Sequence, residues 1–75
     1  MRPLYAIARE ICADWKKVSP CAAPYLSAMS CLASVNDNYG YDSGRSIVSY
    51  FLANAGTWRG ETAKRVKAEL KAMIK

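Results

Sequence analysis

Near the start of the chain Leu4, Ile7, Ala8, Ile11, Trp15 and Val18 recur at intervals of three and four, with Arg9, Ala13, Lys16 and Lys17 on the other side. That period places the apolar side chains on one face of a helix. Pro3 suits the first helical turn, where its missing N–H costs nothing. Ser19-Pro20 ends the segment, because the residue before a proline is pushed away from helical angles. The spacing therefore predicts a first helix from near Pro3 to Val18. Pro24 opens a second, with Tyr25, Leu26, Met29, Leu32 and Ala33 as its apolar face and an end at about Ser34.

Asn36-Asp37-Asn38-Tyr39-Gly40-Tyr41-Asp42-Ser43-Gly44-Arg45-Ser46 interrupts this pattern. Its Asn, Asp and Gly residues favour turns, so a polar, tyrosine-bearing loop is expected over 36–46. Asp42 or Ser43 then supplies an N-cap for a third helix carrying Ile47, Val48, Phe51, Leu52 and Ala55. Gly56 falls where a glycine often closes a helix in the left-handed conformation. Thr57 can cap a fourth helix reaching almost to Lys75, with the stripe Ala63, Val66, Leu70, Met73 and Ile74. Gly60 weakens its first turn, so Arg59 or Glu61 is an alternative start.

Ser46–Leu52 has a strand-like composition, but its apolar residues are consecutive and helix boundaries flank it. No strand is expected. The reading is an all-α, compact bundle of about four short helices, with one polar loop between helices 2 and 3, in a single domain over 1–75.

At 75 residues and 52% hydrophobic, the chain can build one core and no second domain. Burial at this size only narrowly exceeds the entropy lost on ordering the backbone. No run is long enough to cross a bilayer, and Arg9 and Glu10 interrupt the apolar start that a signal peptide needs. A soluble, cytoplasmic protein is expected. Three cysteines, Cys12, Cys21 and Cys31, lie among small or apolar neighbours without a Cys-x-x-Cys pair, which predicts buried, reduced thiols. With no histidine in the chain, the zinc sites that combine Cys and His cannot form. No metal or cofactor is expected.

The net charge of +5 is uneven: about +2 over residues 1–18, −1 through the middle and +4 over residues 59–75. At 100° per residue, Lys64, Lys67, Lys71 and Lys75 fall within an arc of roughly 80° on the fourth helix, beside its apolar stripe. Such a ridge either keeps a solvated helix soluble or meets phosphates or an acidic protein surface.

Gly40-Tyr41-Asp42-Ser43-Gly44-Arg45-Ser46 is one residue short of a nucleotide-binding P-loop, and Arg45 stands where that loop has lysine. Tyr39 and Tyr41 occupy positions where an EF-hand needs oxygen ligands. Two smaller possibilities survive. The start of the third helix can receive an anion at its free amides with help from Arg45, or Arg45 can pair with Asp42 or Asp37. Trp58-Arg59 either folds its indole into the core or presents the aromatic-plus-guanidinium pair common at binding hot spots. No nucleophile stands paired with a base at recognisable spacing, so the chain is not expected to be an enzyme.

The run from Asp37 through Leu52, continuing through Thr57-Trp58-Arg59-Gly60-Glu61 into Ala63-Lys64-Arg65-Val66-Lys67-Ala68-Glu69-Leu70, resembles small orphan proteins carried by phages and mobile elements of Gram-positive bacteria. The opening Leu4–Ile11 with Asp14-Trp15-Lys16 is similar as well. The resemblance implies an origin in a phage or prophage. It also implies a role in binding host machinery, including inhibition of a defence system such as CRISPR by occlusion. The expected partner is a host protein or nucleoprotein, met through Tyr39, Tyr41, Arg45, Trp58, Arg59, Lys64, Lys67, Lys71 and Lys75. The alternative is a nucleic-acid-binding module in which the lysine ridge contacts phosphates of RNA or DNA.

Overall fold

The apolar stripes close against one another as a ring of helices in the computed structural model, which describes residues 2–75. The helices are α1 (Leu4–Asp14), α2 (Ala23–Met29), α3 (Gly44–Ala53) and α4 (Glu61–Met73). α1 packs between α2 and α4, and α3 closes the ring from the opposite side between the same two neighbours. Each helix therefore buries one stripe toward a common centre. Leu4, Ile7, Met29, Val48, Phe51, Val66 and Leu70 are all essentially inaccessible there, and their removal from water is the main favourable term in folding.

The all-α bundle of four short helices is thus the observed architecture, with one addition. The 36–46 segment contains a small antiparallel hairpin, β1 (Asn38–Tyr39) and β2 (Asp42–Ser43), with Asn38 opposite Ser43 and Tyr39 opposite Asp42. Gly40 takes a φ of 64° at the first turn position, and no non-glycine residue among those described has positive φ. That combination is the signature of a two-residue type II′ turn. No strand was expected, because two-residue strands are too short to carry an alternating pattern.

Three element ends differ from the sequence reading. α1 stops at Asp14 because Trp15 turns out of the helix (φ −90°, ψ 91°) to join the core. α2 stops at Met29, with Cys31 N–H and Leu32 N–H bonding three residues back to Ala28 and Met29. That tighter turn frees the carbonyls of Leu32 and Ala33 to accept the N–H groups of Tyr5 (2.9 Å) and Leu4 (3.1 Å), which satisfies the first turn of α1.

Gly56 does not cap α3. The helix ends at Ala53, and side chains serve one carbonyl of its last turn and two just past it: Asn54 Nδ2 donates to Tyr50 O (2.8 Å), Ser19 Oγ to Asn54 O (3.4 Å) and Lys67 Nζ to Ala55 O (2.8 Å). α4 begins at Glu61 after Gly60, whose φ of 111° only glycine adopts without strain; Thr57 is not its cap. Ser43 is the N-cap of α3 as expected, its Oγ accepting Ser46 N–H at 3.1 Å. Pro24 lies in the first turn of α2.

Four charged residues tie the N-terminus and α1 to α4. Arg2 grips Glu69 with two parallel bonds (2.6 and 3.1 Å) and brings Nη1 to 2.8 Å from Glu10 Oε1. Arg65 holds the other Glu10 oxygen. The hydrogen bonds from Arg65 and Arg2 hold the Glu10 carboxyl below its ordinary range, and Arg2 does the same for Glu69.

Candidate binding surface: a tyrosine hairpin and a basic helix edge

The hairpin is held rigidly at its base. Asp37 Oδ2 accepts the N–H groups of Ala33 (3.0 Å) and Ser34 (3.1 Å), and Ser34 Oγ accepts that of Asn36 (3.0 Å). The carbonyls of Asp37 and Val35 in turn accept the N–H groups of Gly44 (2.6 Å) and Arg45 (3.0 Å). Gly44 is buried and passes so close to the 34–35 backbone that a Cβ would lie 2.7 Å from Ser34 O and 2.9 Å from Val35 Cα. Only glycine permits this approach.

That clasp excludes the anion site at the start of α3. The amides of Gly44, Arg45 and Ser46 are already engaged by Asp37 O, Val35 O and Ser43 Oγ, so none is left to face a phosphate. Arg45 is exposed and takes part in none of the ion pairs found among the described residues. Neither pairing offered for it, with Asp42 or with Asp37, is formed, and the Asp37 carboxylate is committed to backbone amides instead.

Beyond the clasp the side chains are open. Tyr41 at the turn is fully exposed (108% relative accessibility) and Tyr39, paired across the ladder with Asp42, is 45% exposed. Arg45 and Met73 line one depression together with Leu4 and Val35, which places the last turn of α4 beside the first turn of α3.

Trp58 is not a surface contact. It is 2% exposed and stacks on Trp15 with ring centres 5.8 Å apart and planes 12° from parallel, while Phe51 meets both indoles edge-on. Its Nε1–H donates to Asp14 Oδ2 at 2.8 Å, satisfying the one polar atom of a buried ring. Arg59, next in the chain, is exposed.

The lysine ridge also divides. Lys64, Lys71 and Lys75 are exposed, whereas Lys67 is half-buried. Its ammonium donates to Ala55 O (2.8 Å) and Trp58 O (2.7 Å) and lies 5.8 Å from the centre of the Trp58 ring. Burial, then the charges of Lys71 and Arg59, push the Lys67 pKa below the ordinary lysine value.

The cysteines depart from expectation most clearly. Cys12, Cys21 and Cys31 are free and exposed. Cys12 follows Ile11 onto the flank of α1, where it borders the groove against α2, while Cys21 and Cys31 lie in the turns before and after α2. The core is filled by larger apolar groups. No group of three or more Cys, Asp or Glu residues among the described residues is arranged to hold a metal, and no helix is long and apolar enough to cross a membrane.

Of the residues picked out from sequence, Tyr39, Tyr41 and Arg45 share the hairpin end. Lys64 and Lys71 are exposed on α4, with Arg59 just before its start and Lys75 just past its end, and Trp58 and Lys67 belong to the interior and its seam. The hairpin itself was missed, although Gly40-Tyr41 between Tyr39 and Asp42 carries the glycine that a type II′ turn places first. Comparison with protein-family models, with curated proteins and with solved structures finds no match for this chain.

Proposed function

We propose that this chain is a small binding protein that covers a surface of a host protein or nucleoprotein through its Tyr39–Tyr41 hairpin, with Arg45 at the rim. The observation that carries the reading is a fully exposed Tyr41 on a hairpin whose base is pinned by Gly44 and Asp37. An exposed aromatic ring that packs on nothing of its own gains most by packing on a partner. A pre-organised hairpin also avoids the ordering cost that a floppy loop would carry into binding. Asn, Tyr, Gly and Ser make up most of residues 36–46. Recognition loops share that composition, Tyr supplying rigid contact area and the small polar residues adaptable hydrogen bonds.

The resemblance to phage and mobile-element proteins supports a partner in the host cell's cytoplasm, and occlusion of a defence complex such as a CRISPR effector fits a domain this small. The reading assigns no bond-making step to the chain.

The test is affinity capture from host lysate by the wild type and by the Tyr39→Ala/Tyr41→Ala variant, each with and without nuclease. The expected result is a protein retained by the wild type after nuclease treatment and lost with the variant. Equal capture by both would remove the hairpin from the interface.

A further inference from the structure

Ion pairing and hydrogen bonding leave exposed, unpaired cations in two groups, Arg9, Lys16 and Lys17 on and just after α1 and a larger set along α4, with Arg45 apart at the hairpin. Glu10 and Glu69 are taken by Arg2 and Arg65, Asp14 by the Trp58 indole and Asp37 by two amides. Near α4 only Glu61, in its first turn, remains as an acidic counterweight. Against it stand Arg59, Lys64, Lys71 and Lys75, all exposed and in none of the ion pairs among the described residues.

Lys67 lies between these cations with its ammonium turned inward onto two carbonyls. The line of charge is therefore backed by a packed seam. Lys64 to Lys71 spans two helical turns, about 10 Å, which is the axial length of roughly three nucleotides on one strand.

We propose that the exposed cations of α4 and its two flanks, Lys64 and Lys71 on the helix, Arg59 before it and Lys75 after it, form a docking surface for the phosphate backbone of nucleic acid. It acts independently of the hairpin. Composition decides between phosphate and an acidic protein. Lysine is depleted where proteins meet proteins but is a common contact to phosphate oxygens. The one aromatic ring at this junction, Trp58, is buried and offers no anchor for a protein partner. The arrangement contacts backbone and not base edges, so binding is independent of base sequence. The chain then has two faces of different chemistry, tyrosine-rich at the hairpin and cationic along α4.

The experiment is fluorescence anisotropy of a labelled 20-base-pair duplex titrated with full-length protein. It is repeated with labelled polyglutamate and over a series of salt concentrations. Four phosphate contacts predict a slope of log K against log salt of about −3.6, or a loss of roughly 150-fold between about 50 and 200 mM. Lys64→Glu/Lys71→Glu should lower affinity by about tenfold or more and roughly halve the slope, with the helical circular dichroism retained. Arg9→Glu, matched in charge change to either single lysine swap but placed on α1, should leave affinity within about twofold.

Equal weakening by Arg9→Glu and Lys71→Glu would overturn the proposal in favour of net charge alone. Polyglutamate binding as tight as the duplex would overturn it in favour of an acidic protein partner, and absence of duplex binding at low salt would end it outright. Tyr39→Ala/Tyr41→Ala should leave duplex affinity unchanged, so failure of the hairpin reading and failure of this one are read separately.

Discussion

Lys67 Nζ lies 2.7 Å from the carbonyl oxygen of Trp58, and the same ammonium reaches Ala55 O at 2.8 Å. One side chain of α4 thereby satisfies two carbonyls of the connection that follows α3. Lys67→Met should keep the packing of the stem but strip both carbonyls of their donor, at a cost of about 2 kcal/mol. Thermal unfolding followed by circular dichroism should show a midpoint lowered by roughly 10 °C. Lys71→Met, one turn on and exposed, should shift stability by less than about 0.5 kcal/mol. Equal effects would mean that Lys67 is merely another surface lysine.

The stacked pair Trp15–Trp58, with Phe51 against both, fills the centre of the ring near the end of α1. Trp58→Ala should cost about 3–5 kcal/mol, enough to leave a chain of this size substantially unfolded. Trp58→Phe keeps most of the apolar volume but abandons the Asp14 carboxylate, and should cost about 1–2 kcal/mol. Urea titration of the two variants measures both values.

Gly44→Ala would drive a methyl group against Ser34 O and Val35 Cα, backbone atoms with no rotamer to yield. Overpacking of that kind costs about 1–3 kcal/mol. The strain falls on the clasp beneath the hairpin. Amide exchange of Gly44 and Arg45, whose N–H groups bond to Asp37 O and Val35 O, should accelerate more than that of α4. Exchange accelerated equally everywhere would contradict a local clasp.

Acid should destabilise the fold through Glu10 and Glu69. Arg65 and Arg2 lower the Glu10 pKa from its ordinary 4.5, and Arg2 lowers that of Glu69 from the same value. In the interval between folded and unfolded pKa values the unfolded chain binds more protons, so stability rises with pH there. The contribution is complete above about pH 4.5 and is lost as pH falls through the folded values. Glu10→Gln/Glu69→Gln should flatten this acid limb, as measured by the urea midpoint against pH. An unchanged limb would assign the acid response to other carboxylates.

Helical periodicity made the four helices legible, because each buries a single stripe against the same centre. It located Leu4, Ile7, Ile11, Ile47, Val48, Phe51, Val66 and Leu70 in the interior, where the structure has them. Helix ends were harder, since they are decided by distant partners. Trp15 leaves α1 to meet Trp58, and the residues after α2 tighten their turn and hold the first amides of α1. No local pattern announces either event. Side chains with two possible fates were harder still: Trp58 and Lys67 have the composition of a contact surface and the surroundings of a seam, whereas Cys12, Cys21 and Cys31 have apolar neighbours in sequence and water in space.

Structural duty at the hairpin ends where the turn begins. Gly44 and Asp37 carry the fold below it, while at Gly40 nothing lies within 4 Å of where a Cβ would stand and Tyr41 packs on nothing. Residue 41 can therefore change its chemistry at almost no folding penalty, with residue 40 limited only by its backbone angle. The tip can vary in chemistry while the four-helix base stays constant, much as an interchangeable bit is fitted to a fixed handle.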